Sequence, residues 1–308
     1  MLSPDPGTAR AAAPSDRFTR KRSLAAVVLW MTGTLLSFSL MAVSVRELGG
    51  VLNLFELLMV RSFGGLLILT AVMLPQPWLF RDLTPRRPLI HLIRNGTHFL
   101  ANLAWANAVI VLPLATVFAI EFMMPVWAGL IAVLFLGERF TVARAGSIVL
   151  GFLGVLVILR PGLEAFQPAA LAVLAASFGY AIANITMKQL VAVQKPITIL
   201  FWMSVMQSVM ALAGIDPLFP LRLSGTQWIW AAGIAVGGTA AHYCIANAMR
   251  AGDAIVVIPL DFLRIPLIAV VGWLFYAERI DVAVFLGALI IVTGIVWNLR
   301  AEMRSRPA

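Results

Sequence analysis

The sequence predicts an all-α membrane protein, with ten transmembrane helices arranged as two inverted five-helix repeats. Composition, the spacing of apolar runs, and an ordered set of matches displaced by 140 positions carry that expectation. Of the 308 residues, 61% are hydrophobic and 12% charged, and mean hydropathy is +0.95. A soluble chain would be about a quarter charged. Apolar runs of about 20 residues, the length that crosses a bilayer core as helix, recur along the chain. Short segments of alternating polarity, which a membrane barrel would need, do not.

The first 23 residues, rich in Pro, Ala and Arg, read as a disordered cytoplasmic tail. The first span, 24–45, is too long for a signal-peptide core and lacks a small-residue cleavage site, so it reads as a membrane helix. Spans at 53–73, 89–110, 114–136 and 142–160 complete a first half, 24–160. Spans at 168–189, 196–214, 227–248, 254–276 and 282–299 form a second, 168–300. The connections are short and carry Gly, Pro or charge, as in "GERFT", "RPGLEAFQP", "AVQKP" and "AERID". No soluble domain fits between them.

A net charge of +9 would suit nucleic acid if the cations clustered, but they sort by side instead. With the N-terminus inside, inner segments hold sixteen Lys and Arg and outer segments four, so both termini are expected in the cytoplasm. The partner of that charge is membrane lipid, not nucleic acid. The single cysteine, Cys244, excludes an intramolecular disulfide and a cysteine metal cluster, and no metal or cofactor site is expected.

"ANA" at 106–108 recurs at 246–248, "GER" at 137–139 returns as "AER" at 277–279, and Arg160 as Arg300. Pro125 and Gly146 find Pro266 and Gly287 one residue further on. Each half holds five spans, an odd number, so the second half enters the membrane inverted. Inverted repeats with substrate held near the midplane characterise many secondary transporters.

The run "PVWAGLIAVLFLGER" from Pro125, followed by Gly146, Gly151, Gly154 and "RPG" at 160–162, resembles the repeated EamA-type domain of the drug/metabolite transporter superfamily. "RSF" at 61–63 is similar to its second-helix Arg-Phe pattern, with Ser between the two. "PLDFLRIPLIAVVGWLFYAE" at 259–278 resembles its ninth helix, and "RRPLIHLIRN" at 86–95 resembles the start of the third helix in S-adenosylmethionine-uptake members. The resemblance covers residues 24 to 300. It implies a ten-helix carrier in a bacterial inner membrane whose halves alternate access to a central cavity.

Ionisable residues inside a span are rare and face a cavity or a partner. Glu121 and Asp261 each stand seven residues into their spans, in matching acid-Phe-Pro settings. At about 1.5 Å per residue, each lies roughly 10 Å from its own helix end. Inversion therefore predicts Glu121 on the outer side of the midplane and Asp261 on the inner. Asp261 is three residues from Arg264, a pairing distance on a helix. Arg61, at similar depth, is the expected partner of Glu121, and of the two acids Glu121 is expected to be the one free to titrate.

His91, Asn95, His98 and Asn102 share one face of the third span, with Arg94 at its border. His91 and Arg94 could snorkel to the inner surface, which leaves His98 and Asn102 as the cavity candidates. Interhelical hydrogen bonding is the competing use of such a stripe. His242 matches Asn102 across the repeat, and Ser177, Tyr180 and Asn184 share a face of the sixth span. Trp105 and Tyr180 are the aromatic candidates for stacking on a planar substrate. Pro125 and Pro266 each remove a backbone donor mid-helix and are hinge candidates. Glu138 and Glu278 close the fourth and ninth spans and read as structural.

The function the resemblance implies is secondary active transport of a small polar organic metabolite by alternating access. Amino acids or their derivatives are favoured, because the acids suit an ammonium group and the arginines and amides a carboxylate. Proton coupling would run through Glu121 or Asp261. A carrier of S-adenosylmethionine, or of another metabolite or drug, is the alternative, with an intramembrane enzyme acting on lipid more remote. That enzyme would need a metal motif or a nucleophile beside a base, and three scattered histidines supply neither. No catalytic residue is assigned. No G-x-x-x-x-G-K-[ST] motif occurs, which removes ATP drive within the chain. The partners expected are the small-molecule substrate and lipid, with the protein a monomer or homodimer.

Overall fold

The computed structural model describes residues 24–81, 83–136, 141–159, 168–191, 193–251, 260–261, 263–279 and 281–304. The expected N-terminal tail, Glu138 and the "RPG" run from Arg160 lie outside the described residues. Among those described, all regular structure is helical: α1 (Leu24–Leu48), α2 (Leu54–Met73), short α3 (Trp78–Arg81), α4 (Pro88–Val111), α5 (Leu114–Glu121), α6 (Met124–Leu136), α7 (Val142–Leu159), α8 (Pro168–Val191), α9 (Pro196–Ala211), α10 (Gln227–Ala251), α11 (Arg264–Tyr276) and α12 (Val282–Arg304). The predicted fourth span corresponds to α5 and α6 together, and the described part of the ninth to α11.

Local chemistry sets the helix ends. Before α2, the Asn53 side chain accepts from the Glu56 N–H at 3.0 Å while the Glu56 carboxylate accepts from the Asn53 N–H at 2.8 Å. This capping box satisfies two otherwise orphaned donors. Helices α4 and α9 open on Pro88 and Pro196, where a missing N–H costs nothing. The fourth span is interrupted at Phe122 and Met123. Pro125 has no N–H for the Glu121 carbonyl four residues back, and its ring crowds that carbonyl. The ladder resumes with the Trp127 N–H on the Met123 carbonyl at 3.0 Å.

The main packing runs between halves rather than within them. Helix α1 lies chiefly on α10, and α4 on α8. These two pairs exchange under the repeat, because spans one and three of the first half correspond to spans six and eight. Helices α2 with α9 and α7 with α12 pair across the pseudo-twofold itself. Two crossings of this frame require glycine. A Cβ on Gly154 of α7 would stand 2.5 Å from the Gly287 carbonyl of α12, and the reverse holds equally. A Cβ on Gly237 of α10 would meet the Ser37 carbonyl of α1 at 2.8 Å. Small residues let membrane helices approach to backbone contact in this way.

Among the described residues, five segments are by themselves long and apolar enough to cross a membrane: Ala25–Leu48, Leu54–Met73, Leu114–Ile131, Pro168–Met187 and Val282–Ala301. Helix α4 is long too, but its polar side chains point inward: His91, Arg94, Asn95, His98 and Asn102 are all buried. Leu29, Leu67, Leu100 and Phe275 face outward, as a lipid-facing surface requires.

A methyl group at the α7–α12 crossing has backbone, not a flexible side chain, in its way. Gly154→Ala or Gly287→Ala should therefore lower stability by roughly 1–3 kcal/mol. The readout is the melting temperature of the detergent-purified protein. Gly50→Ala, with nothing near its Cβ, is the control that should leave it unchanged.

Candidate functional site

The break after α5 puts Glu121 at a helix end, and the start of α11 puts Arg264 opposite it. Arg264 donates to the Asp261 carboxylate at 2.9 Å and to the Glu121 carboxylate at 3.4 Å. The second Glu121 oxygen accepts the Trp105 indole N–H at 2.9 Å. Around the guanidinium stand the rings of Phe38, Phe118 and Phe122, with centroids 4.5, 5.2 and 5.1 Å away. One cation is thus held by two carboxylates and by aromatic faces, partners that a desolvated guanidinium favours. The other Asp261 oxygen, Oδ1, is buried with no hydrogen-bond partner.

A second set, of one arginine and neutral polar groups, lies alongside. Arg61 donates to the Gln207 side-chain oxygen at 3.0 Å. A guanidinium can only donate, so Gln207 must present its oxygen there and its NH2 to His98 Nδ1, 2.9 Å away. Asn102 is fixed in the same way from its other side, because Tyr180 donates to its oxygen at 3.0 Å. Its NH2 then also faces His98 Nδ1, at 2.9 Å. Two donors on one ring nitrogen make Nδ1 the bare acceptor and place the ring proton on Nε2. The His98 ring is 5.5 Å from Tyr180 and 5.7 Å from His242 between centroids, and His242 Nδ1 bonds the Gly238 carbonyl at 2.9 Å. Tyr180 lies within electrostatic reach of Glu121, Arg264 and Arg61, so it stands between the two sets.

Several expectations are corrected by this geometry. Glu121 does not reach Arg61; Arg61 is occupied by Gln207, and Glu121 pairs with Arg264. Glu121 is not without partners, because both of its oxygens are engaged. One guanidinium spans both acids, which brings them together at one place in the fold. Counting rise from a helix end assumes an unbroken helix along the membrane normal, and the fourth span is interrupted next to Glu121. His91 and Arg94 do not snorkel: both are buried, with His91 on Gln194 at 2.6 Å and Arg94 on Asn95 at 2.7 Å.

Trp105 offers no open stacking face, being 4% exposed with its ring against Phe118. It orients Glu121 instead. Asn184 is exposed and contacts Met124 Sδ at 2.8 Å, apart from both sets. Pro125 and Pro266 each fall in the first turn of the helix after the acid. Glu278 binds Arg46 of α1 and accepts the Leu114 N–H at 3.0 Å, so it caps α5 rather than the helix that follows it.

Gln207 and the three phenylalanines were not among the sequence candidates. Gln207 had a signal, since Ser204 and Gln207 form a polar pair three apart in the seventh span. The phenylalanines had none, being apolar residues in apolar spans.

Contacts bridge the two halves at both ends. At the predicted outer end, Arg46 pairs with Glu278, Tyr276 donates to Glu47 at 2.8 Å, and Arg222 pairs with the buried Glu56. At the predicted inner end, Trp202 donates to the Leu83 carbonyl at 2.6 Å and Gln194 to the Thr84 carbonyl at 2.8 Å.

The chain matches the EamA-like transporter family twice, over residues 25–160 and 167–300. It is 25% identical over 280 residues to the S-adenosylmethionine uptake transporter of Rickettsia felis, covering 90% of this chain and 93% of that one. It is 29% identical over 219 residues to a riboflavin transporter of Rhizobium johnstonii, covering 70% and 72%. A solved crystal structure has the same fold, with a TM-score of 0.62 at 17% identity, over 92% of this chain and 100% of that one. With both halves matched and an all-helical, cross-packed frame around inward-facing polar groups, the chain belongs to the EamA-like transporter family of the drug/metabolite transporter superfamily and is a multi-pass membrane protein.

Proposed function

We propose that the protein is a secondary transporter of the bacterial inner membrane, both termini cytoplasmic, that carries a small organic metabolite bearing a cationic group. Amino acids or their derivatives are the favoured class. One observation carries this reading: Glu121 and Asp261 share the single guanidinium of Arg264. With both acids ionised, that set has one negative charge in excess at bilayer depth, where uncompensated charge is expensive. An ammonium or sulfonium group removes the excess, and so does a proton. Cation and proton then compete for the same carboxylates, which couples substrate movement to the proton gradient. The aromatic faces around Arg264 suit an organic cation as well as they suit guanidinium. The helix break before Pro125 and the start of α11 before Pro266 supply the hinges for alternating access.

S-adenosylmethionine, a sulfonium, is the alternative substrate, supported by the uptake transporter of Rickettsia felis among the relatives. The riboflavin-transporting relative suggests a planar substrate instead, and the charge excess favours the cation over it.

In proteoliposomes, counterflow against a pooled metabolite extract should exchange a cationic or zwitterionic solute. E121Q/D261N protein should lose accumulation driven by an imposed pH gradient. Retained gradient-driven accumulation in that variant would remove the acids from coupling. The charge balance has its own check. Arg264→Gln leaves two buried carboxylates unpaired and should destabilise by about 3–5 kcal/mol, and adding E121Q and D261N should restore most of the loss. Thermal unfolding in detergent reads both, and an R264Q protein as stable as the parent would refute the shared pairing.

A further inference from the structure

Pro113 divides α4 from α5 and leaves two backbone groups without helical partners. The Val109 carbonyl would pair with the nitrogen four residues on, but that is Pro113, which has no N–H. The Leu114 N–H stands in the first turn of α5, ahead of any intrahelical carbonyl. Both are satisfied from other helices. Arg46, in the last turn of α1, donates through Nε to the Val109 carbonyl at 2.7 Å and also donates to the Leu112 carbonyl. Glu278, just after α11, accepts the Leu114 N–H at 3.0 Å. Arg46 and Glu278 are themselves paired, and the Tyr276 ring centroid lies 4.7 Å from the guanidinium. One ion pair thus fastens the α4–α5 turn of the first half to the end of α11 in the second.

A sharp bend brings Glu278 there. Ala277 sits at φ 51° and ψ 29°, the left-handed region that costs alanine more than glycine. The Glu278 N–H returns to the Gly272 carbonyl at 3.1 Å, and a Cβ on Gly272 would collide with the Glu278 carboxylate. Where the second half has Ala277 in "AER", the first has Gly137 in "GER", which lies outside the described residues. An alanine held left-handed is strain that letting Glu278 go would relieve.

This pair and the charged site hold the same two helices. Helix α5 runs from Leu114, on Glu278, to Glu121, on Arg264. Helix α11 runs from Arg264 to Tyr276 beside the bend, and the two helices pack on each other. Seven residues of α5, about 10 Å of helix, separate the two contacts. The Arg222–Glu56 pair at the same end bridges other elements. We propose that the Arg46–Glu278 pair is a latch on the predicted outer end, coupled through α5 and α11 to the charged site, so that release of Glu121 from Arg264 favours release of Glu278 from Arg46. Such a latch rests on the carrier reading above and regulates access to that same site. Coupling requires an element with two arrangements that both contacts bias. Here the α5–α11 pair is that element, tied at one end by Glu121 and at the other by Glu278.

Thiol labelling tests the latch in the purified full chain in neutral detergent, with Cys244→Ser removing the native thiol. Val117, one turn beyond Leu114 on α5, and Ile199, in the first turn of α9 at the predicted inner end, are both fully buried. V117C and I199C therefore report the two ends separately, through their rates of reaction with a charged, water-soluble maleimide. E278Q keeps an oxygen for the Leu114 N–H but gives up the charge. It should raise the V117C rate at least about tenfold, the scale of one weakened charge-assisted bond, and leave the I199C rate unchanged. Arg46→Lys, which keeps the charge but not the fork onto two carbonyls, should act the same way and serves if E278Q does not fold. A277G, which removes the left-handed strain, should lower the V117C rate about fivefold. E121Q should raise it several-fold with both latch residues intact. Unchanged V117C labelling in E278Q and R46K overturns the latch, as does a rise matched at I199C, the mark of general loosening. An unchanged rate in A277G removes the strained alanine from it, and an unchanged rate in E121Q breaks the coupling to the charged site. Failure of the carrier reading shows separately, as parent protein that gives no counterflow in proteoliposomes whatever its thiols report.

Discussion

The site depends on a single buried cation, Arg264, placed where it must serve two carboxylates at once. Alone in hydrocarbon, any of the three charges would be expensive. With both acids ionised the three would still not cancel, and Asp261 Oδ1 is left without a partner. The surrounding rings lower the cost without adding charge: Phe38 comes from α1, Phe118 from α5 and Phe122 from the break after it. Those elements belong to the first repeat, while Asp261 and Arg264 belong to the second. The charged set therefore ties the halves together at the level of the helix break, and whatever neutralises its excess acts on the junction between them.

The second set, beside it, has a direction. Starting from Arg61, which can only donate, each amide is forced into one orientation until two donors converge on His98 Nδ1. Tyr180 closes the far side through Asn102. The result is a rigid polar partition with no free rotor among the described bonds, positive at its Arg61 end and adjoining the negative set near Glu121. Buried networks are favourable only when satisfied throughout, and here the unsatisfied atoms, Arg61 Nε and Ser62 Oγ, stand at the edge that faces a cavity.

Much of this was legible in the sequence, and the part that was not has a physical reason. An acid, a histidine or an asparagine in an apolar run announces itself, because lipid cannot satisfy it. Glu121, Asp261, His98, Asn102 and Arg61 were found that way. The 140-residue offset gave the inverted frame, and α7 and α12, the last spans of the two halves, meet at Gly154 and Gly287. Pairings across helices were a different matter. Which carboxylate meets which arginine depends on lateral placement and on a helix break, and neither leaves a periodic trace. Aromatic rings around Arg264 were invisible for the opposite reason: a phenylalanine in a membrane span is unremarkable until its neighbour is known. Gln207 could have been read by the rule that found the stripe on α4, and it proved to be the hinge of the second set.

The two ends of the molecule are bridged by different chemistry, and that bears on the proposed cycle. The predicted outer end is fastened by ion pairs, Arg46 with Glu278 and Arg222 with Glu56, and Glu278 also caps α5. Breaking these would strand Glu56, which is fully buried and holds the start of α2 through its capping box. At the predicted inner end, Trp202 and Gln194 donate to the Leu83 and Thr84 carbonyls in the short connection before α4, and Arg86 donates to the Val193 carbonyl. Neutral bonds near water are worth about 0.5–1.5 kcal/mol net each, because water replaces them. A buried carboxylate that loses its partner costs several times more. Opening the outer end requires that Glu278 and Glu56 find other partners or take up protons. The same chemistry that lets protons compete for Glu121 would then also bias which side of the carrier is exposed.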